Sequence, residues 1–150
     1  MYKQIGVVAL AITLAIALTG CGTTPGTING FWTATLTNPA GTPALAFQTT
    51  FLQGGGTGLT ISNFAFTTSG SCFVSGQTSE TGSFSLGGNY NGKVTGSLAM
   101  IVTSTVPNAN NLLNLKGTVN GGAITGTWTL TGGTGCTGNG TFIATSTRSV

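Results

Sequence analysis

A strict two-residue alternation of apolar and hydroxyl-bearing side chains constrains this chain more than any other feature. Between Ala123 and Thr131 the even positions carry Ile, Gly, Trp and Leu, whereas each odd position from Thr125 onward is Thr. Successive side chains of a β-strand point to opposite faces, so this period predicts a strand with one buried and one solvated face. Residues 28–37 and 93–103 repeat the pattern and predict two more strands of the same kind.

Less regular patterns predict strands at residues 44–52, 58–67, 79–86, 112–119 and 141–147. In 58–67 the apolar positions change phase between Ile61 and Phe64, which predicts a β-bulge near Ser62 and Asn63. In 79–86 one face is predicted to hold Glu80, Gly82, Phe84 and Leu86. No later segment shows a helical period, so the chain is predicted to be all-β, with about eight strands.

The connections between these segments indicate how the strands are ordered. Asn120-Gly121 is a two-residue hairpin signal, and further tight turns are predicted near residues 53–57 and 87–92. Longer loops are predicted at residues 38–43, 68–78, 104–111 and 132–138. Sequential hairpins favour an antiparallel meander that closes into an up-and-down barrel, with a β-sandwich as the alternative. In such a meander the tight turns lie at one end and the longer loops at the other.

Glycine accounts for 26 residues, but the segments between glycines are rich in strand-forming residues, which argues against disorder. Gly30, Gly96, Gly117 and Gly126 fall on the predicted inward face, where glycine lets a small barrel curve around its larger side chains. An eight-stranded barrel is only just wide enough for its side chains, so we expect a filled interior. The outward faces carry Thr, Ser, Asn and Gln rather than the apolar band of a lipid-facing wall.

Residues 1–20 have the pattern of an export signal. Lys3 precedes an uncharged apolar run from Ile5 to Leu18, shorter than the ~20 residues of a membrane-spanning helix. The tetrapeptide Leu18-Thr19-Gly20-Cys21 resembles the lipobox of bacterial lipoproteins. The resemblance implies a signal peptide at 1–20, acyl chains such as palmitate on Cys21, a tether at 21–27 and a β-barrel domain at 28–150. An ordinary secretory signal followed by a chance cysteine is the alternative.

By the same resemblance, the protein is expected in the cell envelope, held to the membrane by the acyl chains on Cys21. Gly22 follows the cysteine where an Asp would favour the inner membrane, so outer-membrane sorting is favoured in a cell with two membranes. Export also places the chain in an oxidising compartment, such as the periplasm. With Cys21 acylated, Cys72 and Cys136 remain as the pair for a disulfide. Both lie in loops predicted at the same end of the barrel; two free buried thiols are the alternative.

Two further resemblances concern the barrel itself. Gly30-Phe31-Trp32 is similar to the Gly-x-Trp at the start of lipocalin barrels, although nothing here corresponds to the C-terminal helix of lipocalins. The mature chain also resembles uncharacterised Gly/Thr-rich bacterial lipoproteins that have two spaced cysteines and a late stretch like residues 124–130. Neither resemblance implies an activity.

The composition argues against several classes of function. Charged residues make up 3% of the chain, there is no His, and Glu80 is the only acidic residue. General acid–base catalysis needs titratable partners and metal sites need clustered ligands, so we expect no enzyme activity, no cofactor and no metal. Four Lys and Arg residues do not make the basic face that nucleic acid requires. A structural or interaction module with an envelope protein, glycan or lipid as partner is the favoured hypothesis.

The alternative hypothesis is a small apolar ligand or lipid bound in the barrel mouth. Glu80 is predicted to point inward near the longer loops, which makes it a candidate site residue. The other candidates for this mouth are Phe84, Phe64 and Phe66. Glu80 at a solvated loop boundary is the competing interpretation.

Overall fold

The computed structural model describes residues 27–90 and 93–147 of the chain. These residues form eight antiparallel strands, each paired with its neighbours in sequence order, in a closed barrel. The predicted all-β up-and-down meander is confirmed, and the β-sandwich alternative is wrong. The predicted signal peptide (1–20) and Cys21 lie outside the described residues. None of the described segments forms a helix that could span a bilayer.

The strands follow the predicted segments closely. They are β1 Gly30–Thr37, β2 Pro43–Gln53, β3 Gly58–Thr68, β4 Thr78–Tyr90, β5 Lys93–Ser104, β6 Leu112–Asn120, β7 Ala123–Thr131 and β8 Gly138–Ser146. Antiparallel pairing of β1 with β8 closes the barrel, from Trp32 opposite Ser146 to Thr37 opposite Thr141. Because every connection joins adjacent strands, the tight turns gather at one end and the longer loops at the other.

The hydrophobic core is the inside of the barrel, as the alternation predicts. In β5, for example, every second residue from Val94 to Val102 is buried, while the alternate residues are more exposed. Two tryptophans pack inside and satisfy their ring N–H groups on the backbone: Trp32 Nε1 donates to the Ile28 carbonyl at 2.8 Å. Trp128 Nε1 donates to the Thr37 carbonyl at 3.0 Å. Buried indole rings of this kind need such a partner.

The predicted β-bulge in β3 is confirmed. Asn63 has a positive φ of 51°, and the pairing of β2 with β3 shifts register between Gln48 and Thr50. Thr49 is fully buried at this point, and its hydroxyl donates to the Ser62 carbonyl at 3.1 Å. The threonine therefore satisfies a carbonyl beside the break in the backbone ladder.

The inward glycines serve two different purposes. Gly117 pairs directly with Gly126 across β6 and β7. A methyl group added at Gly126 would lie 2.5 Å from the Gly117 Cα, and one at Gly117 would lie 2.8 Å from the Phe142 ring. These two glycines let the strands and the ring approach each other. Gly30 has nothing within 4 Å of an added Cβ, but its φ of 137° requires glycine.

β4 departs from the predictions at two points. A tight turn was predicted near residues 87–92, whereas β4 continues through Gly87 and Gly88 to Tyr90, with a register shift between Leu86 and Gly88, and the connection to β5 is shorter than predicted. Leu86 was predicted to face inward, but it is 46% exposed. The reason is the length of the β4–β5 hairpin: β3 begins at Gly58, opposite Ser83, so beyond this point no β3 residue covers β4.

Candidate functional site

The longer loops form a cap over one end of the barrel. The predicted disulfide between Cys72 and Cys136 is confirmed, with the two Cα atoms 5.5 Å apart. Asn111 is buried beside it, and its Nδ2 donates to the Cys72 carbonyl at 2.6 Å. The Gly133 N–H donates to Asn111 Oδ1 at 3.2 Å. One covalent bond and one amide side chain therefore tie together three loops that are distant in sequence.

Phe73, the residue after Cys72, turns down from the cap into the barrel mouth. It is 4% exposed and stacks on Phe66 with ring centroids 4.7 Å apart. The ring centroid of Phe64 lies 5.0 Å from that of Phe66 and 5.1 Å from that of Phe47. We refer to Phe47, Phe64, Phe66 and Phe73 as the mouth aromatic cluster. Phe73 was not predicted as a site residue, because a loop has no alternation from which to infer side-chain direction. The only signal in the sequence is an aromatic residue next to a loop cysteine.

The predicted ligand-site residues are brought together in part. Phe64 and Phe66 belong to the mouth aromatic cluster, and Glu80 points inward from β4 opposite the buried Val102. Phe84 does not line the mouth: it is fully buried further along β4, with its ring close above Gly96. Because Gly96 has no side chain, the Phe84 ring occupies the space beside it within the core and does not line the barrel mouth.

Glu80 has an unusual environment. Its side chain is partly buried, and its Oε1 atom is shielded from solvent with no hydrogen-bond partner among the described residues. A shielded carboxylate oxygen ordinarily has a donor, because leaving it unpaired is costly. Among the predicted ligand-site residues, Glu80 is therefore the one with a shielded polar atom that lacks a hydrogen-bond donor in the described part of the chain.

The barrel wall is incomplete between β3 and β4. Within the described residues, the two strands pair only through Gly58 with Ser83 and Leu59 with Gly82. On their other sides, β3 stays paired with β2 as far as Thr68, and β4 stays paired with β5 from Thr78. We call the facing, unpaired stretches 60–68 and 78–81 the β3–β4 seam.

The outer wall carries a shallow groove across β4, β5, β6 and β7. It has a volume of about 440 Å³ and shares Lys116 and Thr127 with an adjoining cavity of about 380 Å³. We call it the hydroxyl groove; its polar lining is Ser83, Ser85, Ser97, Lys116, Thr118, Thr125 and Thr127. A separate cavity of about 500 Å³ lies between loops 105–111 and 132–137 in the cap.

The polar side chains of the hydroxyl groove have free hydrogen-bonding capacity. None of them hydrogen-bonds to another side chain in the described part of the protein. The groove also has no carboxylate, since the only acidic residue, Glu80, points inward. Seryl and threonyl hydroxyls both donate and accept, and the Lys116 ammonium donates only. The groove can therefore bind a ligand that offers many hydroxyl or carbonyl oxygens.

No group of three or more His, Cys, Asp or Glu residues that could hold a metal occurs within 27–90 and 93–147. Comparison with protein-family models, curated proteins and solved structures finds no match for this chain.

Proposed function

We propose that this protein is a non-catalytic lipoprotein of the cell envelope, anchored through Cys21, whose barrel binds an envelope glycan along the hydroxyl groove. The observation that carries this proposal is the position of the unused polar groups. The inside of the barrel is packed with apolar side chains, whereas free hydroxyls and one ammonium line a groove on the outside.

A glycan suits this groove because its chemistry is that of the groove itself. Sugar hydroxyls and ring oxygens exchange hydrogen bonds with Ser and Thr side chains, directly or through water. Lys116 adds a donor that also accommodates a carboxylate or phosphate on the polymer. A protein partner would be expected to use aromatic or arginine anchors, and no aromatic or arginine side chain lines this groove.

The anchor rests on the lipobox-like sequence at Cys21 and on the short segment that follows it. Two or three acyl chains on one cysteine would hold a protein stably at a membrane, whereas a single chain would not. Asn29, close to the start of β1, accepts a hydrogen bond from the Gln53 N–H at 2.6 Å, at the tight-turn end of the barrel. An anchored barrel would therefore hold this end near the membrane and point its disulfide-linked cap away.

The anchor is tested by mass spectrometry of the protein isolated from membranes. We expect a mature chain that begins at Cys21 and carries the mass of two or three acyl chains. The Cys21→Ser variant should lose these chains and leave the membrane fraction. An unmodified chain that still contains residues 1–20 would contradict the proposed anchor.

The glycan site is tested by electrophoretic retardation in gels that contain isolated envelope glycans. Thr127→Val removes one groove hydroxyl with almost no change in shape, and we expect it to weaken binding about threefold or more. Thr35→Val makes the same change on the outward face of β1, away from the groove, and should bind as the native protein does. Equal retardation of all three proteins would contradict the hydroxyl groove as the site.

The second hypothesis, a small apolar ligand in the barrel mouth, has less support. Phe73 and the disulfide-linked cap cover that mouth, and the inward side chains beneath it pack against one another. The β3–β4 seam, on the side of the barrel, would give a ligand access to Phe64 and Phe66 without passing through the mouth.

A further inference from the structure

We propose that the β3–β4 seam is a binding site for a small amphipathic cation, an apolar molecule that carries one protonated amine. Glu80 would bind the ammonium group, and Phe64 and Phe66 would contact the apolar body. This site is independent of the glycan groove, which lies on the outer face and uses other residues.

Exposure distinguishes the seam from the rest of the barrel interior. The inward side chains of β5, β6 and β7 other than glycine are nearly all inaccessible, as Met100, Leu115 and Ile124 illustrate at 1% exposure each. Every large inward side chain of β3 keeps partial exposure instead: Leu59, Ile61, Phe64 and Phe66. Of these, Ile61, Phe64 and Phe66 lie in the unpaired stretch of β3, so solvent reaches apolar and aromatic surface at the seam, which is the kind of surface that an apolar ligand covers.

The charge at the seam is negative and has no counter-ion among residues 27–90 and 93–147. Glu80 is the only acidic residue of the chain, and its shielded Oε1 has no partner among the residues described. Lys116 lines the outer groove, and the Lys93 side chain lies against Gly121 at the tight-turn end, so neither is placed to neutralise it. An ionised carboxylate only accepts hydrogen bonds, so the missing partner must be a donor.

An ammonium group with an apolar substituent satisfies both features at once. Its N–H groups would form a charge-assisted hydrogen bond with Glu80 in a place already shielded from water. Phenylalanine faces attract cations as well, so Phe64 and Phe66 favour a positive charge over a neutral or negative one. A carboxylate or phosphate ligand would meet the charge of Glu80 and be repelled.

The first test uses the exported Cys21→Ser protein, otherwise native in sequence, and three probes of similar size. We expect 2-phenylethylamine to bind saturably in a ¹⁵N-labelled NMR titration, with chemical-shift changes centred on Ile61, Phe64, Phe66 and Glu80. The neutral 2-phenylethanol should bind about tenfold more weakly, and the anionic 3-phenylpropanoate should not bind measurably. Equal affinity for the amine and the alcohol would overturn the proposal, as would no saturable binding of the amine.

The second test changes the protein. Glu80→Gln keeps the shape of the side chain, removes its charge, and should lower the affinity for 2-phenylethylamine about tenfold while leaving that for 2-phenylethanol unchanged. Thr35→Ala, on the outward face of β1 and outside the seam, should leave both affinities unchanged. An unchanged amine affinity in Glu80→Gln would overturn the role of Glu80. If Glu80→Gln does not fold, the comparison of the three probes on the unsubstituted barrel still decides the question.

The location of the shift changes separates this site from the glycan groove. Amine-induced shifts confined to Lys116, Thr125 and Thr127 would overturn the seam site and leave the glycan groove standing. Loss of glycan retardation in Thr127→Val with unaltered amine binding would leave both proposals standing.

Discussion

The wall formed by β5, β6 and β7 and the β3–β4 seam are built from similar residues but differ in closure. In the wall, each strand is paired along its full length, and paired glycines bring the backbones close together. At the seam, a bulge at Asn63 redirects β3, and pairing with β4 ends after Leu59 and Gly82. The bulge and the end of this pairing thus lie in the part of the barrel where the inward apolar side chains of β3 keep partial exposure.

The largest expected effect contrasts Gly126 in the wall with Gly82, the last β4 residue that pairs with β3 at the edge of the seam. An alanine methyl at Gly126 would lie 2.5 Å from the Gly117 Cα, and backbone atoms cannot move aside cheaply. We expect Gly126→Ala to lower the free energy of unfolding by about 4 kcal/mol or more. Gly82→Ala should cost only about 1 to 2 kcal/mol, since an added methyl would meet the end of the Ile61 side chain at 3.0 Å and the Ala99 carbonyl oxygen at 3.1 Å, with no backbone atom closer. Urea denaturation of both variants checks this, and equal losses would contradict a looser seam.

The disulfide connects the two regions, because it links the β3–β4 loop to the β7–β8 loop. Replacing Cys72 and Cys136 by Ala together should lower the free energy of unfolding by about 3 to 4 kcal/mol, for a sequence separation of 64 residues. We also expect faster amide hydrogen exchange in loop 69–77, with little change in β6. Hydrogen exchange measured by mass spectrometry tests this. Equal acceleration of exchange in β6 would show that the disulfide stabilises the whole barrel rather than the cap alone.

Truncating one aliphatic side chain in each region should reveal the difference in packing. Leu115 is 1% exposed, and Leu115→Ala should cost about 3 kcal/mol because it leaves a cavity among packed neighbours. Ile61 is only partly buried at the seam, so Ile61→Ala should cost about 1 kcal/mol. Denaturant midpoints at constant m-value would measure both, and a larger loss for Ile61 would show that the seam is closed in solution.

The smallest expected effect concerns the hydrogen bond that supports the bulge. Thr49→Val preserves shape but removes the hydroxyl that donates to the Ser62 carbonyl at 3.1 Å. We expect a loss of about 1 kcal/mol, because a buried carbonyl is left without this donor. Thr35→Val, on the outward face of β1, is the control and should change stability by less than about 0.5 kcal/mol. Equal stability of the two variants would mean that the bulge does not depend on Thr49.

Much of the fold could be predicted from the chain because the alternation is nearly unbroken. β7 begins and ends where the pattern predicted, and the bulge in β3 appeared as a change of phase between Ile61 and Phe64. The disulfide was expected from the lipobox-like sequence at Cys21, which implies export and leaves Cys72 and Cys136 as the pair, and the meander places both cysteines at one end. The burial of Leu86 was not predicted correctly, because alternation indicates which way a side chain points but not whether another strand covers it.

The candidate site was harder to predict for the same reason. Glu80, Phe64 and Phe66 were identified from their inward positions, but Phe84 has the same parity and lies buried in the core. The position of Phe73 could not be inferred, since its burial depends on a loop held by Cys72 and Asn111. The hydroxyl groove also depends on neighbours from four strands, which no single segment reveals.

Local pattern was sufficient to determine the strands, their inward and outward faces and their sequential order. Each of these depends on side-chain direction or on the shortest connection between neighbours, which nearby residues control. The opening between β3 and β4, the cap on Phe73 and the unpaired oxygen of Glu80 became visible only in the folded barrel. These features depend on how far two strands stay in register and on what packs across the interior, and such long-range distances are set by the closed barrel as a whole.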